Sequence, residues 1–522
     1  MSISFLRLRL VFAFLLAAAG WYSWKIDHLD LAGELSLPGH PLLAWWDAFA
    51  IGGIALFLAF CFPYVIRFLS GGFFQVQQGS GKKYFFAAAF GMILFRLPFL
   101  LAFYPAPGMN DTVFMMDNPL YGSVQFPWLY SLIYGYGTQW GHTLWGSREP
   151  VIFIFSLLQA ACLSLGLTAF SFWIKNHVDL RAGWGLYGYF LLFPMVGSYS
   201  IAAVRDGFFS LALLFWVWLF LREIEARSWR RGSWGIFLFA LLGTMLFRSN
   251  GLLVSLLLTA VLYGCRRNKK IIFIFLLCAV LSVVPGQIIQ RTHHWEPLFQ
   301  ESMAIPLQQL GRTLKLDGER SEETISLMQG LLSEEEWKKE YSPYTVDFVK
   351  WHDRFQRQRL NGQKKEFLCA WIETGLMNPR LYVEGWLTET YALWNLDPLE
   401  YSVQSRFGWA LTDENTRNMK PSENDLMAVG NFPMPAAWKA FFGNWQFEGS
   451  HFLGPGLCLW LTLFAGFFFW TSGRRKQVLF LLPLWVNTAT LLLSTPASAV
   501  FRYSFIYVLA LPVVGIYMLA RR

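Results

Sequence analysis

Charged residues are scarce in this chain of 522 residues: they make up 15% of it, whereas hydrophobic residues make up 55%. Soluble globular domains carry about 25% charged residues, so this composition excludes an ordinary soluble protein. The apolar residues are gathered into long runs, and a membrane-spanning helix needs ~20 mostly apolar residues in succession. The sequence therefore predicts an all-α polytopic membrane protein.

Cysteine is scarce as well, with six residues and no C-x-x-C pair. Only Cys369 lies in a long polar segment, because the other cysteines fall in or beside apolar runs. A lone thiol outside the membrane has no intramolecular partner, and structural zinc sites use paired cysteines that this chain lacks. We therefore expect neither a disulfide nor a cysteine-bound metal.

About twelve apolar runs are candidate spans, and they divide the chain into three parts. They cover residues 5–24, 43–69, 85–103, 151–173, 184–204, 208–221, 234–247, 252–263, 271–289, 453–470, 478–493 and 504–519. We predict an N-terminal transmembrane module (1–290) with a first outer loop (105–148), a mostly helical extracytoplasmic segment (291–451) and C-terminal transmembrane helices (452–522). No internal repeat is visible.

Lysine and arginine are concentrated in every second connection between these spans. The positive-inside rule then places both termini in the cytoplasm and residues 105–148 and 291–451 outside a cell membrane. This topology accounts for the net charge of +9, so membrane lipids are expected partners and a nucleic acid is not. The inner connections are too short for a nucleotide-binding domain, which places any activity on the outer face.

The first candidate for chemistry is Asp111, which follows the third span in the segment Tyr104-Pro-Ala-Pro-Gly-Met-Asn-Asp-Thr112. Asp117 follows closely. A carboxylate at this position acts as a general base toward a hydroxyl, or coordinates a divalent cation beside a phosphate. The alternative for both aspartates is a solvated loop acid or a helix cap.

Arginines form the second group of candidates. Arg205, Arg248 and Arg502 come from separate hairpins, and each is predicted at the outer surface. Singly, each is explained as a snorkelling residue. Jointly they indicate a site for a phosphate or diphosphate, because the planar guanidinium group binds phosphate oxygens two at a time. Supporting polar residues lie beside them: Asp206, Asn250 and Tyr503.

Arg96 lies deeper, inside the third span, where a charge needs a partner. We predict that this partner is either the acid of another helix or a lipid phosphate, and we count Arg96 among the candidates for binding the donor phosphate. Gln308 and Gln309 are candidates for binding sugar hydroxyls, and His293-His294 for holding a metal or supplying an acid. Adjacent histidines do not share a helix face, so these residues rank second.

Three local patterns predict helices outside the spans. Residues 126–136 are rich in aromatics and too short to cross a membrane, so they predict an interfacial or re-entrant helix. Residues 380–394 are amphipathic, and Glu384 and Glu389 argue for a position at the membrane surface. Ser333-x-x-Glu336 is typical of a capping box at a helix N-terminus.

The ordered motifs of this chain resemble those of the GT-C superfamily of membrane glycosyltransferases, most closely an uncharacterised bacterial branch. The resemblance extends over nearly the whole chain. It is carried by Tyr104-Pro-x-x-Gly-x-Asn-Asp-Thr112, Gln125-Phe-Pro127, Arg205-Asp-Gly207, Phe247-Arg-Ser-Asn-Gly251, Ile305-Pro-Leu-Gln-Gln309 and Phe501-Arg-Tyr503.

The resemblance implies a GT-C-like fold and an inverting transfer of a sugar from a polyprenyl-phosphate donor to an acceptor hydroxyl at the outer membrane face. The acceptor would be a glycan, a lipid or a protein of the cell envelope. Asp111 would be the general base, and Arg248 and Arg502, supported by Arg205 and Asp206, would hold the donor phosphate. Many relatives have His-Pro where this chain has Phe126-Pro127. No essential cofactor is expected, although some members need a divalent cation.

Two other functions remain open at this stage. A polymerase or ligase that uses diphosphate-linked glycans would share the arginines but depend less on Asp111. A transporter or flippase for lipid-linked sugars would need polar residues near the bilayer midplane and a matched pair of broken helices. The ionisable residues gather instead at the predicted outer interface.

Overall fold

The computed structural model of the protein describes most of the chain and is helical throughout. It describes residues 3–31, 33–37, 42–44, 46–70, 84–108, 110–225, 231–295, 298–396, 433–438, 440–441, 454–494 and 501–520. Within these ranges no β-strand forms, and the one isolated bridge joins Ser342 and Thr345. The predicted all-α class is confirmed.

The described residues of the first part of the chain form thirteen helices. They are α1 Ile3–Leu31, α2 Asp47–Ser70, α3 Phe85–Ala102, α4 Asn110–Asp117, α5 Pro119–Gln125, α6 Trp128–Trp145, α7 Glu149–His177, α8 Leu180–Leu192, α9 Pro194–Ile201, α10 Asp206–Glu225, α11 Arg231–Phe247, α12 Gly251–Arg266 and α13 Lys269–Thr292.

The second part begins with short helices and returns to long apolar ones. The α-helices are α14 Phe299–Ser302, α15 Ala304–Lys315, α16 Glu322–Leu331, α17 Glu334–Glu340, α18 Asp347–Lys350, α19 Arg357–Gly362, α20 Lys364–Met377, α21 Pro379–Glu389, α22 Tyr391–Trp394, α23 Pro455–Thr471, α24 Leu482–Ser494 and α25 Phe505–Leu519. Residues Arg475–Leu481 and Phe501–Ser504 form 3₁₀ helices that lead into α24 and α25.

Eight helical stretches of the described residues are long and apolar enough to cross a membrane, so the protein is a multi-pass membrane protein. Three further predicted spans are shorter helices of 16 or 17 residues: Gly232–Phe247, Gly251–Arg266 and Pro455–Thr471. At 1.5 Å per residue such helices are about 25 Å long, short of the ~30 Å hydrocarbon core. The count of twelve spans stays a prediction.

The predicted span 184–204 is wrong as a single helix. It is divided into α8 and α9 at Phe193, whose ψ of 120° is extended, and Pro194 begins the second helix. The cause is local, because proline lacks an amide hydrogen and excludes the helical conformation from the residue before it.

The centre of the bundle is α10. In its most apolar stretch 67% of the residues are buried. The corresponding share for α13, which lies at the periphery, is 17%. A helix that is apolar on all sides is stable only inside the protein or in lipid. Phe209, Leu213 and Trp216 of α10 belong to one large core that also includes Phe505 of α25. The first residue of α10, Asp206, is therefore held in a fixed place.

Residues 298–396 form a group of short helices with a hydrophobic core of its own, which we call the cap. Its core is built around Leu307, Met328, Leu331 and Trp337. The predicted start of α17 is confirmed, since the hydroxyl of Ser333 accepts from the amide of Glu336 at 3.4 Å. The carboxylate of Glu336 accepts from that hydroxyl at 2.7 Å, in place of the bond to the Ser333 amide that completes a capping box.

The amphipathic stretch 380–394 is helical, and its predicted position at the membrane surface stays a prediction. These residues form α21 and α22 within the cap, with Glu384 and Glu389 buried. Glu384 pairs with Arg312 at 2.8 Å. This ion pair offsets the cost of burying the carboxylate inside the cap. Trp386 donates to the carbonyl of Leu492 in α24 at 2.8 Å and attaches the cap to the bundle.

The aromatic stretch 126–136 is helical only from Trp128, because Phe126 is extended and Pro127 precedes α6. The helix continues to Trp145, well beyond the predicted end. Trp140 and Trp145 are exposed, which suits a helix at a membrane interface.

Candidate functional site

Asp111 lies in the first turn of α4, a position where the helix dipole favours a negative charge. Two hydrogen bonds fix this turn to the chain that leads into α10. The hydroxyl of Thr112 donates to the carbonyl of Ala203 at 2.6 Å, and the amide of Ala203 donates to the carbonyl of Pro107 at 2.7 Å. The carboxylate of Asp111 is thus brought beside Arg205 and Asp206.

Two of the predicted arginines bind Asp111 directly. Nη2 of Arg502 lies 3.0 Å from Oδ2 of Asp111, and Nη2 of Arg205 lies 3.5 Å from the same oxygen. The side chain of Asp111 is 29% exposed, so it opens to a pocket rather than being sealed in the protein.

Asp206 binds the third arginine, Arg248, and also lies close to Arg502. Nη1 of Arg248 lies 2.5 Å from Oδ1 of Asp206, and Nε of Arg502 lies 3.8 Å from its Oδ2. Asp206 is only 1% exposed, so it stabilises the arginines from behind and does not face the pocket. The structure therefore brings Asp111, Arg205, Asp206, Arg248 and Arg502 into one cluster, which we call the arginine cluster.

A tight turn presents Arg248 to the cluster. Nε of Arg248 donates to Oδ1 of Asn250 at 3.3 Å, and Asn250 donates to the hydroxyl of Thr490 at 2.9 Å. The guanidinium lies 4.0 Å from the ring centre of Tyr503. Gly251 is required here, because a Cβ atom at this position would lie 1.8 Å from the carbonyl oxygen of Thr244.

The cap forms the opposite wall of the pocket, with residues that the sequence did not predict. The pocket has a volume of about 280 Å³, and its cap side is lined by Glu301, Asp347, Lys350 and Trp351. Nζ of Lys350 lies 3.1 Å from Oε2 of Glu301 and 2.9 Å from Oδ1 of Asp347. Only the Asp347-x-x-Lys350 spacing was visible in the sequence, and nothing local linked it to Asp111.

The two carboxylates on opposite walls differ in their acidity. Burial alone raises the pKa of Asp111, but the charges of Arg502 and Arg205 outweigh it and the pKa lies below its ordinary value. Burial also raises the pKa of Glu301, and Lys350 reverses this only in part, so that this pKa lies above its ordinary value. Two carboxyl groups with pKa values moved apart are suited to different roles.

The charges of the pocket are unevenly divided between its walls. In the arginine cluster three guanidinium groups face the carboxylates of Asp111 and Asp206, which leaves one positive charge uncompensated. On the cap side a single ammonium faces the carboxylates of Glu301 and Asp347. An anion is therefore favoured at the arginines, and groups that donate hydrogen bonds are favoured at the cap.

Several predicted residues lie elsewhere. Asp117 pairs with Arg148 at 2.6 Å. Gln308 is buried in the cap and donates to the carbonyls of Ser342 and Pro343 at 2.8 Å, and Gln309 donates to the carbonyl of Tyr382 at 3.0 Å. These contacts support the fold of the cap and of the first loop rather than the pocket.

Arg96 is also separate from the arginine cluster. Its guanidinium donates to the carbonyls of Leu191, at 3.0 Å, and Phe190, at the last turn of α8. These carbonyls lose their helical partners because the chain breaks before Pro194. Arg96 thus binds the open end of a helix. The sequence had predicted an acid of another helix or a lipid phosphate instead.

An apolar cavity of about 260 Å³ lies beside the arginine cluster. Leu129, Tyr130 and Ile133 of α6 line it, together with Phe155, Phe208 and Phe247. Phe247 directly precedes Arg248, and Ala203, which also lines the cavity, is bonded to the loop of Asp111. Ile133, which lines the cavity, is 53% exposed.

Within the described residues, no group of three or more histidine, cysteine, aspartate or glutamate side chains is arranged to hold a metal ion. The site is therefore characterised by its arginines and carboxylates. The expectation that no divalent cation is essential stays a prediction.

Comparison with known proteins identifies a family but no characterised relative. No curated protein and no solved structure matches the chain. One family model matches residues 114–522, which include Arg205, Asp206, Arg248, Arg502 and the whole cap, and begins just after Asp111. That model covers most of the chain, and the protein belongs to the family of unknown function DUF6020.

Proposed function

We propose that this protein is an integral membrane glycosyltransferase that transfers a sugar from a polyprenyl-phosphate donor to an acceptor hydroxyl. The observation that carries the proposal is the position of the arginine cluster beside an apolar cavity. A phosphate attached to a long isoprenoid chain needs both environments within a few ångströms of each other. Neither a soluble sugar nor a free lipid chain would require the two together.

The arginines have the chemistry that the leaving group demands. When the bond between the anomeric carbon and the phosphate oxygen breaks, negative charge increases on that oxygen, and donors placed beforehand stabilise it. Arg248 and Arg502 are the proposed donors, with Arg205 and Asp206 supporting them. The sequence predicts Asp111 as the base that accepts the proton of the acceptor hydroxyl, and Asp111 lines the pocket.

The GT-C-like fold, the extracytoplasmic position of the pocket and the cytoplasmic termini belong to this proposal. An outward-facing transferase has no access to cytosolic nucleotide sugars, which favours a donor carried by a lipid. The acceptor would be a glycan, lipid or protein of the cell envelope.

A transporter is less well supported. Among the described residues one predicted span is broken, between α8 and α9, and its exposed carbonyls are already bonded by Arg96. Broken helices of transporters use such ends to bind ions or substrate. The charged cluster lies at helix ends instead.

The proposal is tested by native mass spectrometry of the purified protein with polyprenyl phosphate, polyprenyl diphosphate, uncharged polyprenol and inorganic phosphate. We expect retention of polyprenyl phosphate, with weaker binding of polyprenol and of inorganic phosphate. Arg248→Ala and Arg502→Ala should each reduce the affinity by ~10-fold or more, since a hydrogen bond to a charged group contributes about 1.5–3 kcal/mol. Arg148→Ala is the matched control, because Arg148 pairs with Asp117 outside the cluster.

Two results would count against the proposal. Equal retention of polyprenol and polyprenyl phosphate would show that the arginines do not recognise the phosphate. A clear preference for the diphosphate would support the polymerase or ligase that uses diphosphate-linked glycans.

A further inference from the structure

The cap wall of the pocket contains a carboxylate that the proposed transfer has not yet used. Oε2 of Glu301 is bonded to Lys350 at 3.1 Å, whereas Oε1 is buried and has no hydrogen-bond partner among the described residues. Buried carboxylate oxygens are normally bonded, so an unbonded one that lines a pocket indicates a place for a donor from a ligand. A sugar hydroxyl is such a donor.

The groups that face Glu301 hold it in place without neutralising it fully. Lys350 is shared with Asp347 on the same wall, and negative charge from Asp347 and from Asp111 on the opposite wall also acts on Glu301. The result is a carboxyl whose pKa is raised, chiefly by burial. A general base works best when its pKa lies close to the working pH, because it must be ionised and still accept a proton readily.

Asp111 is in the opposite situation. Both Arg502 and Arg205 bind the same oxygen of its carboxylate, and Arg248 adds a third positive charge nearby. A carboxylate stabilised in this way releases protons easily and accepts them poorly. Its geometry serves instead to hold two guanidinium groups side by side.

We propose that Glu301 accepts the proton of the acceptor hydroxyl, and that Asp111 positions Arg205 and Arg502 for the donor phosphate. This inference rests on the proposed glycosyl transfer. It replaces the base predicted from the sequence by a residue of the cap, and it gives the cap a part in the chemistry. Glu301 is then a catalytic residue, and Asp111 is a positioning residue.

The step balances without any further reactant. The acceptor oxygen forms a bond to the anomeric carbon of the sugar as the bond from that carbon to the phosphate oxygen breaks. The electron pair of the broken bond stays on the phosphate, which remains bound to the arginines as polyprenyl phosphate. The hydroxyl proton moves to the carboxylate of Glu301 and is released to water afterwards.

The test compares turnover of a panel of polyprenyl-phosphate-linked hexoses and pentoses by wild type, Glu301→Gln, Asp111→Asn and Glu366→Gln. Glutamine retains an oxygen that accepts from Lys350, so the cap should remain folded. Glu366 is an exposed glutamate of α20 and serves as the matched control. Binding of polyprenyl phosphate and the pH dependence of kcat are measured for each variant.

We expect Glu301→Gln to lower kcat by ~100-fold or more with carrier binding unchanged, and to remove the fall of kcat on the acid side. Asp111→Asn should alter carrier binding but retain the fall of kcat at low pH, which we call the acid limb of the profile. Glu366→Gln should resemble wild type. The inference is overturned if Asp111→Asn removes both turnover and the acid limb while Glu301→Gln retains them. If wild type transfers no sugar from any donor of the panel, the proposed function fails and the inference fails with it.

Discussion

Arg502, at the start of the last span, lies 3.0 Å from Asp111, which follows the third span. This single contact joins the two ends of the transmembrane bundle at one pocket. The contact also restricts how Arg502 binds a phosphate. An arginine that is bound to a carboxylate binds a phosphate either with its remaining N–H donors or after the ion pair rearranges.

Asp206→Asn should destabilise the protein. Asp206 is 1% exposed and lies against both Arg248 and Arg502, so its removal leaves two guanidinium groups beside a neutral amide. Removing one partner of a buried ion pair costs about 3–5 kcal/mol. Thermal unfolding in detergent should show a lower Tm together with weaker carrier binding. An unchanged Tm would mean that Asp206 does not support the cluster.

Gly251→Ala should disturb the turn that presents Arg248. The added Cβ would lie 1.8 Å from the carbonyl oxygen of Thr244, which is backbone and cannot move away at low cost. We expect a lower yield of folded protein and a loss of polyprenyl phosphate binding of ~10-fold or more, comparable to the loss of a charged hydrogen bond. Gly264→Ala is the control, since Gly264 lies on the same helix with open space around it. Equal behaviour of the two variants would contradict this account.

Arg96→Leu should lower stability without affecting the phosphate site. The variant leaves the carbonyls of Phe190 and Leu191 without their donor, at a cost of about 1–3 kcal/mol for each buried acceptor. The Tm in detergent should fall, and the affinity for polyprenyl phosphate should equal that of wild type. Loss of affinity in a variant that remains folded would restore Arg96 to the donor site predicted from the sequence.

Ser156→Phe should fill the apolar cavity beside the arginine cluster, because Ser156 is buried and lines it. Affinity for a long polyprenyl phosphate should fall, and affinity for a short alkyl phosphate should stay the same. Leu165→Phe, at an exposed position on the same helix, controls for the added bulk. Equal losses for the long and short phosphates would show that the cavity does not hold the isoprenoid chain.

Glu389→Gln should change how stability depends on pH. Burial raises the pKa of Glu389 well above its ordinary value, so the folded protein keeps a proton that the unfolded chain releases at the ordinary pKa. This contribution to stability is present below the ordinary pKa and is lost as pH rises toward the folded value. The variant should therefore unfold at a higher temperature than wild type at about pH 8, with a difference that vanishes near about pH 4. A difference independent of pH would contradict the prediction.

Much of the helical framework follows from local patterns. Long apolar runs predicted most spans, and Ser333 and Glu336 predicted the start of α17. The division at Phe193 was missed although Pro194 was visible, because hydropathy alone continues across the break. The buried pair of Glu384 with Arg312 was missed because the two residues lie far apart in the sequence.

The sequence by itself determined the class of the protein and the common predicted side of Asp111, Arg205, Arg248 and Arg502. Apolar length and the distribution of lysine and arginine are local quantities, which a chain carries whether or not it is folded. Only the tertiary structure decided which carboxylate each arginine binds, that Arg96 closes a helix end, and that Glu301 and Lys350 complete the pocket. Those contacts depend on the packing of distant helices, so no local pattern of residues could reveal them.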